Sequence, residues 1–164
     1  MIPLFLGLTA FNLVCLITSA VLGYVSTSRP SYGGSHFLVG ALAALGCCAV
    51  HCVVFTYFIA TSKWVQHAIA LKRLDGRLLE PTRSFKAQAF PAATAAMGIV
   101  FITAVFGAAT QNYGISITWH HFLAIASIAT NAIAAALELA AIRRNGQLID
   151  AVLAAAQPPL RDIS

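Results

Sequence analysis

The run GCCAVHCVVFTYF, residues 46 to 58, places three cysteines and one histidine in six consecutive positions. On a helix Cys47 and His51 lie one turn apart, and Cys48, His51 and Cys52 share a face, a grouping that metal or thiol chemistry would use. A structural zinc site takes four ligands, commonly supplied as Cys-x-x-Cys pairs; this run contains no such pair, and the one remaining cysteine, Cys15, is distant in sequence. Adjacent Cys47 and Cys48 point about 100° apart on a helix and are not placed to cross-link. The cysteines therefore read as small apolar filling. No metal is expected beyond a haem iron, and no catalytic residue is assigned.

His36 and His121 carry the sharper chemistry. Each opens a long apolar run, with Tyr32 and Tyr113 a few residues before them. Two facing imidazoles supply a neutral nitrogen lone pair from each side of a haem iron. Gly40, Ala41, Ala124 and Ala126 would leave room for a porphyrin, so one reading places one haem b between the second and fourth runs, with His120 as an alternative ligand; the other places these histidines among lipid headgroups, where Trp119, Tyr113 and Tyr24 form an aromatic belt without any cofactor. Ser35 and Thr118 are the nearby hydrogen-bonding partners for these rings, and no carboxylate is close in sequence.

Three more polar residues lie within apolar runs. His51 is expected to hydrogen-bond Asn131 or Asn12 of another helix. Glu138, the one acidic residue inside the apolar runs, is about a turn from Arg143 and is expected to reach that guanidinium or the interface. Without a phosphate-cradling glycine loop, a His-Glu-x-x-His motif, a nucleophile elbow or a pair of intramembrane carboxylates, the chain is not read as a self-sufficient enzyme.

The elements that position these residues follow from composition. Hydrophobic residues make up 59% of the 164 positions and charged ones 9%, with a mean hydropathy of +0.82, outside the range of soluble globular chains. Residues 1 to 28 carry no charge, nor do the stretches from Arg29 to Lys63 and from Lys86 to Glu138. These gaps accommodate one, one and two membrane spans. The expected fold is an all-α integral membrane bundle of four up-and-down helices, at about 3 to 27, 36 to 62, 90 to 110 and 119 to 142, in a single membrane domain covering 1 to 164. Pro3 and Pro91 are placed at the first turns of spans one and three, where a missing N–H costs nothing. The segment after span two mixes basic and apolar positions, so that helix either continues past the membrane or lies along it. Asp75-Gly76 reads as a turn or cap.

Lys63, Lys72, Arg73, Arg77, Arg83 and Lys86 fall between spans two and three, and Arg143, Arg144 and Arg161 follow span four, against Arg29 alone on the other side. By the positive-inside rule both termini are cytoplasmic, as in a bacterial inner membrane. The net charge of +5 is a topology signal that also suits anionic lipid, and it implies no nucleic-acid partner.

A weak internal repeat runs through the chain. ITSAVLG (17 to 23) matches ITAVFG (102 to 107) after removal of one residue, SYGGSHFLVG (31 to 40) matches NYGISITWHHFLAI (112 to 125) with an insertion, and ALKRLDGRLLE (70 to 80) matches AIRRNGQLID (141 to 150). The expectation is two tandem helical hairpins, about 3 to 80 and 87 to 155, related by an axis along the membrane normal. In span four, Ala132, Ala136 and Ala140 form one small-residue face and Ala126, Thr130 and Ala134 another, suited to close helix contact. The architecture is similar to four-helix membrane anchors that hold haem b or quinone in respiratory complexes. The expected function is a small subunit of a larger, energy-converting membrane complex, in contact with lipid and with other subunits or with itself. The alternatives are an oligomeric transporter or channel using His51, Asn131 and Glu138 as polar waypoints, and a cofactor-free structural or assembly subunit.

Overall fold

The computed structural model describes residues 1–157; Arg161 of the basic tail lies outside them. Four long helices account for nearly all of that chain: α1 (Ile2–Ser26), α2 (Gly33–Lys72), α3 (Glu80–Asn112) and α4 (Ile117–Ala156), and there is no strand among the described residues. All four are long and apolar enough to cross a membrane. At 1.5 Å per residue α2 and α4 each reach about 60 Å, twice a hydrocarbon core of about 30 Å, so each carries its helix well beyond its apolar run.

Local sequence explains where the helices stop. Arg73 adopts a left-handed conformation (φ 53°) as the cap of α2, and the N–H of Leu74 returns to the carbonyl of Ile69, which satisfies the helix end. Asp75 then accepts from the N–H of Arg77 and holds the short turn Gly76–Leu79 that leads into α3. Gly114, at φ 66°, makes the other tight reversal, where a side chain would be strained.

Pro91 differs from the sequence expectation. Helix α3 begins eleven residues earlier, at Glu80, and Pro81 fills its first turn, so Pro91 lies inside the helix. There its missing N–H leaves the carbonyl one turn back without its usual donor.

The helices run alternately up and down, each against its two chain neighbours, with α1 closing on α4; α2 and α4 meet across the diagonal. The bundle has two ends: a basic end, holding the α2–α3 turn, and a cavity end, holding the α1–α2 and α3–α4 turns. Phe5, Val50, Val54, Phe58, Val65, Phe85, Ala89 and Ile142 form the larger apolar core toward the basic end. Cys15, Leu16, Ala43, Cys47 and Val100 form a second, smaller one nearer the cavity. On α3, Ala89, Ala93 and Ala96 are fully buried, and these small side chains let neighbouring helices approach closely. Ala134 is buried in the same way, whereas Ala132, Ala136 and Ala140 face outward. Phe11, Phe37, Leu45, Phe101, Trp119 and Phe122 are also exposed, an apolar exterior consistent with a membrane protein.

Candidate functional site

His36 enters α2 one turn after its start, and its Nδ1 lies 2.9 Å from the carbonyl oxygen of Ser19 on α1. His120 does the same on α4, its Nδ1 3.0 Å from the carbonyl of Thr103 on α3. A carbonyl only accepts, so each Nδ1 carries a proton, which makes Nε2 the lone-pair nitrogen of each ring in its neutral form. Nδ1 is the only nitrogen of either ring with a hydrogen-bond partner among the described residues. The two rings lie edge to face with centroids 5.9 Å apart.

Both rings are seated on glycine. A Cβ on Gly23 would come within 2.8 Å of the His36 ring, and one on Gly107 within 2.8 Å of the His120 ring. Gly23→Ala and Gly107→Ala are each expected to push the imidazole off its carbonyl and to destabilise the bundle by about 1–3 kcal/mol. Thermal unfolding in detergent, with Gly7→Ala as control where no atom lies within 4 Å, checks this; equal losses at all three positions would contradict it.

The pair opens on a cavity of about 470 Å³ between all four helices, lined by Gly40, Ala41, Ala104, Ala108 and Ala124 among others. That size falls within the range of about 300–1,000 Å³ of small-molecule sites. Thr103 and Ser127 close its floor, their hydroxyls 2.7 Å apart.

The structure therefore brings His36 to His120, where the sequence reading paired it with His121. His121 turns toward Tyr24, ring centroids 5.9 Å apart, and its Nε2 is buried without a partner. The tripeptide His-Phe-Leu occurs at both 36 and 121 and drew that alignment, but the residue that repeats the carbonyl anchor is His120. Ser35 and Thr118 do not serve as partners to these rings; the anchors are backbone carbonyls of the preceding helices.

Below the cavity, Asn131 of α4 joins all four helices, its Nδ2 also reaching the carbonyl of Ala96 on α3 at 3.5 Å. Its Nδ2 donates to the carbonyl of Ser127 at 2.9 Å, and its Oδ1 accepts from Asn12 at 3.4 Å and from the Cys47 thiol at 3.3 Å. Cys47 is thus a buried hydrogen-bonding group, while Cys48 and Cys52 face outward and all four thiols are free. Among the described residues no group of three or more His, Cys, Asp or Glu is placed to hold a metal ion.

A turn further along α2, His51 meets Glu138, Nδ1 to Oε1 at 2.7 Å, with 2% and 0% of the side chains exposed. Two expectations change here: His51 bonds neither Asn131 nor Asn12, and Glu138 points into the bundle, not toward Arg143 or the interface. The opposite atoms of the pair, His51 Nε2 and Glu138 Oε2, have no partner. At the basic end, Asn145 donates to Thr61, Lys86 to Ser62, and Arg144 to Gln88.

The anchored histidines share one spacing. Ser19 to His36 and Thr103 to His120 are each 17 residues. Cys47 to Asn131 and Thr61 to Asn145 are each 84 residues apart, the same offset that separates His36 from His120 and Gly23 from Gly107. A search for one constant offset finds His120 directly, whereas matching identical letters with gaps finds His121. No known protein family, curated protein or solved structure matches this chain.

Proposed function

We propose that this chain is a membrane-embedded electron-transfer subunit that holds one haem b between His36 and His120. The carrying observation is the matched pair of anchored imidazoles lining one cavity. Ligating histidines characteristically donate their other N–H to a carbonyl or carboxylate, which fixes the tautomer and raises the basicity of the ligand. Ser19 and Thr103 supply those acceptors. His36 and His120 would be the two protein ligands such a haem needs, and Gly23, Gly107, Gly40 and Ala124 keep bulk away from the same region.

When bound, haem would exchange one electron between its ferric and ferrous states. The chain's own residues hold it by two neutral nitrogens, keep the rings from rotating, and surround the site with apolar side chains that limit access of water and so tune the potential. With no other catalytic grouping in the bundle, oxidation and reduction of substrates belong to partner subunits of a larger membrane complex. We read the two halves as copies of one hairpin, because contacts between α2 and α4 repeatedly join positions 84 residues apart. Such contacts arise where equivalent residues meet on a two-fold axis, and His36 and His120 are themselves such a pair. The basic α2–α3 turn and the end of α4 face the cytoplasm in this reading, with the cavity at the outer side of a bacterial inner membrane.

The test is haem content and the Soret band of the protein purified in mild detergent with whatever accompanies it. His36→Ala and His120→Ala are each expected to lose the low-spin spectrum, and His121→Ala to keep it. Loss in His121→Ala with retention in His120→Ala would overturn the assignment.

A further inference from the structure

The geometry points to His51 and Glu138 as a proton-binding site that exchanges with the cavity end of the bundle and is sealed from the basic end. This site stands whether or not the histidines above it hold haem. A neutral imidazole beside a carboxylate carries a net charge of −1 in an apolar interior; one added proton, shared between the two side chains, makes the pair neutral. A second added proton charges it again. The pair therefore has one favoured proton to gain or release. His51 Nε2 and Glu138 Oε2, both without partners, are the atoms at which it would enter and leave.

No other charge offsets the pair. On α1 the titratable side chains are Cys15 and Tyr24; on α2 Cys47 adjoins the pair, Cys48 and Cys52 face outward, His36 lies toward the cavity, and Tyr57, Lys63, His67 and Lys72 lie toward the basic end; on α3 Glu80, Arg83 and Lys86 lie in its first turns and none follows; on α4 His120 and His121 lie far toward the cavity, and Arg143, Arg144 and Asp150 beyond the opposite side. Arg144 engages Gln88 and lies over the Phe85 ring, and Lys86 engages Ser62. Neither cation is bonded to Glu138.

Access differs on the two sides. From the cavity floor, the backbone carbonyl of Ser127 accepts from Asn131, the Asn131 amide oxygen accepts from Asn12 and Cys47, and Cys47 lies one turn from His51 on the same face of α2. These groups offer partners to a hydrated proton as far as Cys47, and Asn12 Oδ1 has none of its own among the described residues. Toward the basic end the pair meets Val54, Phe58, Ala141 and Ile142, each no more than 2% exposed and joined in one apolar cluster. A charged species crossing that layer finds no partner.

The sequence offers a clean probe, because Glu80 and Glu138 are its only glutamates. Glu80 is exposed at the start of α3, so in the Glu80→Gln chain labelled with 13C-carboxyl glutamate Glu138 is the sole reporter and the core is untouched. Infrared difference spectra of that chain in lipid nanodiscs between low and high pH are expected to show a change in the labelled carboxyl band, whether the added proton rests on Glu138 or on the His51 ring bonded to it, and the change after a pH jump is expected to be slowed about tenfold or more by Asn131→Leu. A labelled band that does not change with pH, or a rate unaffected by Asn131→Leu, would overturn the site and its route.

Discussion

His51→Leu is expected to destabilise the bundle by about 3–5 kcal/mol wherever Glu138 is ionised, because its carboxylate is then buried with no partner. The reciprocal change, Glu138→Leu, removes the costly charge and strands only a neutral imidazole N–H, for a loss of about 1–3 kcal/mol. The double variant discards both polar groups and fills the space with apolar ones. It is expected to be more stable than His51→Leu alone, since buried ion pairs are often replaceable by hydrophobic residues at little cost. Unfolding in mixed micelles at increasing denaturing detergent would give the order Glu138→Leu above His51→Leu, with the double variant recovering much of the loss. Additive losses would mean that the 2.7 Å contact carries no coupling energy.

Asn131→Leu is the second large effect. Asn131 is 3% exposed and is the junction at which α4 exchanges hydrogen bonds with α1, α2 and α3. Its replacement strands the Asn12 amide in an apolar layer, while the Cys47 thiol keeps the Ala96 carbonyl as acceptor. Each unpaired neutral group costs about 1–3 kcal/mol when burial is complete, and interhelical hydrogen bonds in membranes average nearer 0.6 kcal/mol because the separated helices find other partners. A net loss of about 2 kcal/mol follows for the stranded amide and the lost interhelical bonds together. The Asn12→Leu/Asn131→Leu double variant should fall less than twice as far, since it strands no amide. The unfolding assay described above checks both.

The helices were legible in the sequence because charge gaps and continuous apolar runs mark them without reference to packing. Their extension beyond the apolar runs was only partly so: residues 63 to 72 and 143 to 156 carry charges that end the apolar runs yet remain helical, and Pro91, which reads as a helix start, is carried inside a helix already begun at Glu80. His36 and His120 were legible as candidates by type and depth. Their pairing was not, because the deciding contacts go to backbone carbonyls, which every residue possesses and no side-chain pattern reveals. Gly23 and Gly107 carry a signal that constant-offset comparison would have caught. The His51–Glu138 contact spans 87 positions and breaks the 84-residue register, so neither local spacing nor the repeat points to it. Only the three-dimensional placement of α2 against α4 across the diagonal joins them.

The most direct measurement is haemin titration of the purified chain in mild detergent, followed by oxidised and dithionite-reduced optical spectra. The account predicts saturation at one haem per chain, with a low-spin b-type α band on reduction, as two imidazole ligands require. No saturable binding, or binding that gives only a high-spin spectrum unchanged by His36→Ala and His120→Ala together, would contradict it.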